Sequence, residues 1–111
     1  MDRHELKEVL TKRIDVEKTN IETAHKLAKN GKFDEGLTFG VFASAAKAKI
    51  IISNMGTICR FIERNSEAKT REFTYKLRSM LVHSLCGKNN AEFENLAYKN
   101  LISTLTEYID S

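Results

Sequence analysis

The sequence predicts an all-α fold, a single antiparallel up-down four-helix bundle forming one domain over residues 1–111. The chain of 111 residues contains no proline, which favours long uninterrupted helices over turn-rich β structure. Apolar residues recur three and four positions apart in four segments, and short polar turns separate these segments. A chain of this length can bury a core of its own, and dimerisation would help to cover its apolar faces.

The first helix is predicted from Asp2 to about Asn30. Asp2 and Glu5 have the spacing of a capping box, and an apolar stripe follows them. Gly31 is a C-cap signal, because glycine readily adopts the left-handed conformation that ends many helices. The apolar stripe of this helix comprises Leu6, Leu10, Ile14, Ile21, Ala24 and Ala28.

The second helix is predicted from near Glu35 to about Arg64, with Asp34 as its N-cap, so that the first two helices form a tight hairpin. A row of small residues on one side predicts close packing against another helix, within the chain or across a dimer. This row comprises Gly36, Gly40, Ser44 and Ala48. Bulkier side chains on the other flank are expected to fill the middle of the bundle, namely Phe39, Phe42, Ile50 and Ile51.

Two further helices complete the predicted bundle. The third is predicted to start at Glu67 or Thr70 and to end at Leu85, and its apolar stripe comprises Phe73, Leu77, Met80 and Leu81. The fourth is predicted to extend through Ile109 with Asn90 as its N-cap. Its apolar stripe comprises Phe93, Ala97, Leu101, Leu105 and Tyr108.

The third helix carries the one stretch in which a strong cation and an imidazole flank an apolar segment, from Arg78 to His83. A guanidinium can stabilise charge on a phosphoryl group, and a histidine can move a proton near neutral pH. Five positions along a helix separate the two side chains by about 140°, so the pair would need a shared cleft between two subunits. A surface cation and a hydrogen-bonded histidine in a helix interface are the structural alternative.

Residues 76–83, with the sequence KLRSMLVH, resemble the signature of the HEPN superfamily, which consists of small helical bundles with an Arg-x4-6-His motif. Residues 22–36 resemble the first helical hairpin of that superfamily, and residues 42–48 resemble its second helix. The resemblance therefore extends over most of the chain. Ser79 stands where the family often has asparagine, and Leu85 stands where the toxin branch often has tyrosine.

The resemblance implies a metal-independent endoribonuclease, or a relative that binds RNA or nucleotides, in a toxin, defence or RNA-processing system. His83 would move the proton of a ribose 2′-hydroxyl or of the leaving oxygen, while Arg78 would stabilise the transition state. Ser79 would orient the site. RNA would be required, because DNA lacks that nucleophile. Secondary candidates for holding the phosphate backbone are Lys76, Lys47 and Arg71.

The charge distribution and the missing motifs bound the possible chemistry. Residues 36–90 carry nine lysines and arginines against three acids, a net charge of +6 that suits a polyanion, although solvated helix faces would give the same count. The chain has no Gly-rich phosphate loop, GxSxG or HExxH, and no pairs of helical Glu-x-x-His motifs of the di-iron kind. Cys59 and Cys86 have no zinc-ligand spacing and are predicted to be reduced, packed thiols. We therefore expect neither a cofactor nor a metal.

The sequence also bears on location and partners. The N-terminus has no apolar segment behind a basic start, and residues 37–52 are too short and too charged to span a membrane, so a cytoplasmic protein is expected. The expected partners are a second copy of the chain and RNA or a nucleotide. The alternative is a non-catalytic helical interaction protein of the immunity, antitoxin or phage-regulator type that binds a cognate protein. A weaker third hypothesis is a regulator that binds nucleic acid without cleaving it.

Overall fold

The structure, a computed structural model, describes residues 1–30, 35–87 and 90–111, and it describes side chains in these ranges except those of residues 35–39. These ranges contain four helices and no strand, so the predicted all-α four-helix bundle is confirmed. The helices are α1 (Arg3–Asn30), α2 (Glu35–Arg64), α3 (Glu67–Leu85) and α4 (Glu92–Ile109).

The four helices form two pairs of unequal length. Helix α1 packs along α2, whereas α4 packs against both α2 and α3. The 30 residues of α2 extend over about 45 Å, and the 18 residues of α4 over about 27 Å. The longest dimension of the protein is 49 Å, so part of the long hairpin extends beyond the short pair. We call residues 15–30 and 35–48 the arm, and the remaining parts of the four helices the base.

The core lies in the base, where all four helices contribute fully buried side chains. Helix α4 fully buries four of the five residues of its predicted stripe, Ala97, Leu101, Leu105 and Tyr108, whereas Phe93 is partly buried. The rest of the core comprises Leu6, Leu10, Ile51, Met55, Ile58, Ile62 and Leu81. In the described part of the arm, by contrast, the buried side chains are Glu17, Ala24 and Ala48.

Three residues predicted to lie in apolar stripes are exposed. Phe42 is 62% exposed because it lies in the arm, beyond the region where four helices overlap. Ala28 is exposed for the same reason. Met80 is 66% exposed because α3 packs mainly against α4 and so has a narrower buried face than a central helix. The prediction of core positions was therefore wrong for these three residues.

Among its described members, the predicted row of small residues on α2 is a packing seam only at Ala48. Ala48 is buried, but Gly40 and Ser44 are exposed, and a Cβ atom added at Gly40 would have no neighbour within 4 Å. The seam was thus wrong at Gly40 and Ser44, because the hairpin is open to solvent there. Gly31 and Asp34, which are predicted to end α1 and to cap α2, lie outside the described residues, and the side chains of residues 36 and 39 are not described.

The ends of the short helices differ in part from expectation. Ser66 is the N-cap of α3, and its hydroxyl oxygen accepts a hydrogen bond from the Lys69 backbone N–H. The N-cap of α4 is Ala91, which makes no side-chain capping bond, so the assignment of Asn90 was wrong. The Asn90 amide instead donates to the Ser84 carbonyl at the end of α3, which also accepts from the Gly87 backbone N–H.

The two cysteine thiols differ in their burial. Cys59 and Cys86 are both free, but only Cys59 is partly buried, and Cys86 is exposed rather than packed. Burial raises the pKa of the Cys59 thiol. Within the described ranges, no helix has the length and apolarity needed to cross a membrane. The same ranges hold no cluster of three or more histidine, cysteine or acidic side chains suited to a metal.

Candidate functional site

Arg78 is a half-buried cation held in place by α4 and by its own helix. Its Nη1 donates a hydrogen bond of 3.3 Å to the Thr106 hydroxyl, and its guanidinium carbon lies 5.3 Å from the centre of the Tyr75 ring. No carboxylate in the described ranges lies within ion-pair distance of it. Arg78 therefore has a defined position while its charge remains available to an anion.

Ser79 and His83 lie on the exposed side of α3. The Ser79 hydroxyl donates to the Tyr75 carbonyl at 3.2 Å, so its oxygen remains available as an acceptor. His83 is exposed in the last turn of the helix. No hydrogen bond joins Arg78 to His83 in the described structure. One protomer does not bring the two groups together.

A strip of exposed side chains separates Arg78 from His83. Four residues spaced four, three and four positions apart form it, and we call it the α3 strip: Tyr75, Ser79, Val82 and Cys86. Tyr75 is 55% exposed and Val82 is 42% exposed, so the strip presents apolar surface to solvent. At about 100° per residue, Arg78 and His83 border the strip on opposite sides, each about 70° from its centre line.

The other predicted phosphate-binding residues, Lys76, Lys47 and Arg71, differ in their surroundings. Lys76 is exposed on α3 and forms an ion pair of 3.0 Å with Glu72. Lys47 is on α2, where it lines a groove of the arm together with Asn20 and Ser44 of the α1–α2 hairpin. Lys76 thus lies near the α3 strip in the sequence of that helix, whereas Lys47 belongs to another part of the molecule.

Arg71 makes contacts that join the two ends of the chain. Its guanidinium donates to the Tyr108 carbonyl at 3.0 Å and to the Met1 carbonyl at 2.9 Å. It also lies 4.5 Å from the centre of the Tyr108 ring, and its Nε is 3.8 Å from the Glu67 carboxylate. These contacts occupy both terminal nitrogens of the guanidinium inside the protein.

Sequence reasoning missed the polar cluster around Glu67. The buried Tyr108 hydroxyl donates to this carboxylate, and the Arg3 backbone N–H donates to it at 2.8 Å. Burial opposes the charge of Glu67, but these hydrogen bonds and the nearby Arg71 outweigh it and hold the Glu67 pKa below its ordinary value. Burial and the bond to Glu67 raise the Tyr108 pKa. The spacing of Glu67 and Arg71, four positions apart on one helix, indicates an ion pair, but no local pattern indicates the contact between Glu67 and Tyr108.

Comparison with known proteins found no match: no family model, no curated protein and no solved structure matches this chain. The inference of function therefore depends on the residues of the α3 strip and its two edges.

Proposed function

We propose that this protein is a HEPN-like, metal-independent endoribonuclease that acts as a homodimer, with Arg78, Ser79 and His83 at the cleft between two copies. The observation that carries the proposal is the α3 strip, an exposed and partly apolar band with a cation along one edge and an imidazole along the other. A band of this kind suits the isologous contact of a two-fold dimer.

The spacing of the strip favours a parallel pairing of two α3 helices. With Ser79 and Cys86 at a positions and Tyr75 and Val82 at d positions of a heptad, Arg78 takes a g position and His83 the following e position. In a parallel two-stranded pair, side chains at g positions of one helix face those at e positions of the other. Pairing through the strip would therefore bring Arg78 of each copy beside the imidazole of the other.

The chemistry that follows is a transesterification of RNA. His83 accepts the proton of a ribose 2′-hydroxyl, and the 2′-oxygen attacks the adjacent phosphorus while the bond to the 5′-oxygen breaks. The proton passes to that leaving oxygen, so the products are a 2′,3′-cyclic phosphate and a 5′-hydroxyl. Arg78 stabilises the added negative charge on phosphorus, and Ser79 accepts a hydrogen bond that orients the substrate. Lys76 is the nearest of the secondary cations for the strand backbone.

The test is incubation of the purified protein with single-stranded RNA in EDTA. We expect cleavage, and we expect Arg78→Ala and His83→Ala to reduce its rate by about 10²-fold or more, as loss of a general acid–base or an electrostatic stabiliser does. Arg60→Ala and His25→Ala are matched controls, because both residues are exposed on other helices. Arg60, like Arg78, donates a hydrogen bond of 3.3 Å to a threonine hydroxyl.

Three results decide the proposal. Retained cleavage in the controls together with loss in the two α3 variants, each folded by circular dichroism, supports it. Wild-type protein that leaves RNA of varied sequence intact would overturn it, as would equal losses in Arg60→Ala and His25→Ala.

A non-catalytic interaction protein is the second candidate, and the surface of the arm favours it. Val16 is 54% exposed, Leu27 is 40% exposed and Phe42 is 62% exposed, so the arm presents several large apolar side chains. Phe42 also lines an apolar groove together with Phe93 of α4. This candidate predicts that Phe42→Ser abolishes binding of a cognate protein, whereas Arg78→Ala and His83→Ala leave that binding intact.

A further inference from the structure

A second concentration of positive charge lies at the other end of α3 from His83. The first turns of α1 and the connection from α2 to α3 enclose an open cleft of about 400 Å³, which we call the basal cleft. Four cationic residues from three helices line it: Arg3, Lys7, Arg64 and Lys69. None of them belongs to the α3 strip or to its edges.

Most of this positive charge is not neutralised within the described structure. Lys7 forms an ion pair of 2.9 Å with Glu63, and the hydrogen bond from Lys7 holds the Glu63 pKa below its ordinary value. Arg64 and Lys69 are exposed and have no ion-pair partner among the described residues. The basal cleft is therefore lined by one ion pair and by three further cationic groups.

Arg3 adds a donor that lacks an acceptor. Its Nε is buried, and no described group accepts a hydrogen bond from it, although such buried donors are nearly always paired. The Glu67 carboxylate, which accepts a hydrogen bond from the Arg3 backbone N–H, is also held by the Tyr108 hydroxyl and by Arg71. An anion in the basal cleft would meet a guanidinium that makes no ion pair with a described carboxylate.

The lining of the cleft selects for phosphate rather than for a base. Ile62 is its single apolar residue and is only 3% exposed, and among the described residues no phenylalanine, tyrosine or tryptophan lines the cleft, whose one ring is the small imidazole of His4. Recognition of a nucleobase usually needs an aromatic surface on which the base stacks. Arginine and lysine donors, in contrast, match phosphate oxygens, and arginine does so through two parallel bonds.

We propose that the basal cleft binds two or more linked phosphates, either the polyphosphate chain of a nucleotide or successive phosphates of a nucleic-acid strand. Arg64 and Lys69 at the mouth of the cleft attract the ligand, and Arg3 donates to a phosphate oxygen. This site is independent of the RNA cleavage proposed for the α3 strip, because it uses none of the same residues.

The experiment measures binding of inorganic tripolyphosphate, a nucleoside triphosphate and a single-stranded DNA oligonucleotide by calorimetry and by backbone NMR shifts. DNA has no 2′-hydroxyl nucleophile, so the result does not depend on whether the protein cleaves RNA. We expect shifts around residues 3–7 and 62–69. A tighter Kd for the oligonucleotide than for the other two ligands would identify a strand as the ligand, and a tighter Kd for the triphosphate would identify a nucleotide.

The deciding variant is the double substitution Arg64→Gln and Lys69→Gln. It should weaken binding by about tenfold or more and lower the slope of log Kd against log salt by about one for each cation removed. The matched control is Lys26→Gln with Lys29→Gln, which removes the same charge from exposed positions in the arm. Absence of tripolyphosphate binding, shifts located elsewhere, or equal weakening by the control would overturn the proposal.

Discussion

The base and the arm have helices of the same kind but very different packing. In the base, Leu6, Leu10, Ile51 and Leu101 are completely shielded from solvent by neighbours on other helices. In the arm, α1 and α2 have mainly each other, and Leu27 and Phe42 remain exposed. The comparison shows that one long hairpin performs two tasks, since its base half closes the core and its arm half presents surface.

The outer face of α3 extends this comparison into the base. Helix α3 packs mainly against α4, and Thr70, Thr74 and Leu81 are the residues that it buries. Its exposed side carries the α3 strip. The candidate chemistry thus lies on the exposed face of a well-anchored helix, which is the setting in which a rigid scaffold can hold catalytic side chains.

The largest difference between the two regions should appear when leucine is shortened. Leu101→Ala opens a cavity in the base, and we expect it to lower the free energy of unfolding by about 2–5 kcal/mol. Leu27→Ala removes an exposed side chain of the arm and should change that free energy by no more than about 0.5 kcal/mol. Equilibrium unfolding in urea measures both. Similar losses for the two variants would mean that the arm is packed as tightly as the base.

The polar cluster of the base should make stability depend on pH. Because the Glu67 pKa is lowered in the folded protein, its contribution is present above the ordinary value of 4.5 and is lost as the pH falls through the lower folded value. Because the Tyr108 pKa is raised, its contribution is present below the ordinary value of 10.0 and is lost as the pH rises beyond it.

Glu67→Gln isolates the acid side of this dependence. At pH 7 we expect it to lower the free energy of unfolding by about 1 kcal/mol, because a neutral amide is a weaker hydrogen-bond acceptor than the carboxylate. The loss is modest because the side chain at position 67 is partly exposed to solvent. The gap from wild type should close as the pH falls below 4.5. Glu63→Gln, which breaks an exposed ion pair with Lys7, is the matched control and should change stability less. A gap that stays constant down to acid pH would contradict the cluster's assigned role.

A smaller effect of opposite sign is expected in the arm. Gly40 lies inside α2 with open space around it, so Gly40→Ala should raise the free energy of unfolding by about 0.5–1 kcal/mol through helix propensity. Gly87→Ala is the control, because its Cβ would lie 3.1 Å from the Ser84 carbonyl oxygen and should bring no such gain. Thermal unfolding measures both variants. A loss of stability at Gly40 would mean that the hairpin packs closely there.

Local patterns predicted the helices better than they predicted their surroundings. Capping residues and apolar periodicity are properties of neighbouring residues, and they defined the limits of α3 and α4 to within a few positions. Whether a face is covered depends on a distant helix, which is why Phe42 and Met80 were assigned to the core and proved exposed. The helical periodicity alone also predicted that Arg78 and His83 do not share one face of α3.

The contacts of Arg71 likewise could not be predicted from local sequence patterns. Its guanidinium contacts the carbonyls of Met1 and Tyr108, residues that lie 70 and 37 positions away along the chain. No motif links such positions, so the sequence suggested a phosphate-binding cation there. The α3 strip became visible only when the exposure of each side chain on α3 was known.

The most direct measurement of the central claim mixes two inactive variants. If Arg78 of one copy works with His83 of the other, a mixed dimer of Arg78→Ala and His83→Ala contains one intact pair and one doubly substituted pair. After exchange of subunits, half of the dimers are mixed and half of their sites are intact, so RNA cleavage should return to about a quarter of the wild-type rate. If the mixture stays as inactive as its components while subunits demonstrably exchange, the two residues do not act across the α3 strip.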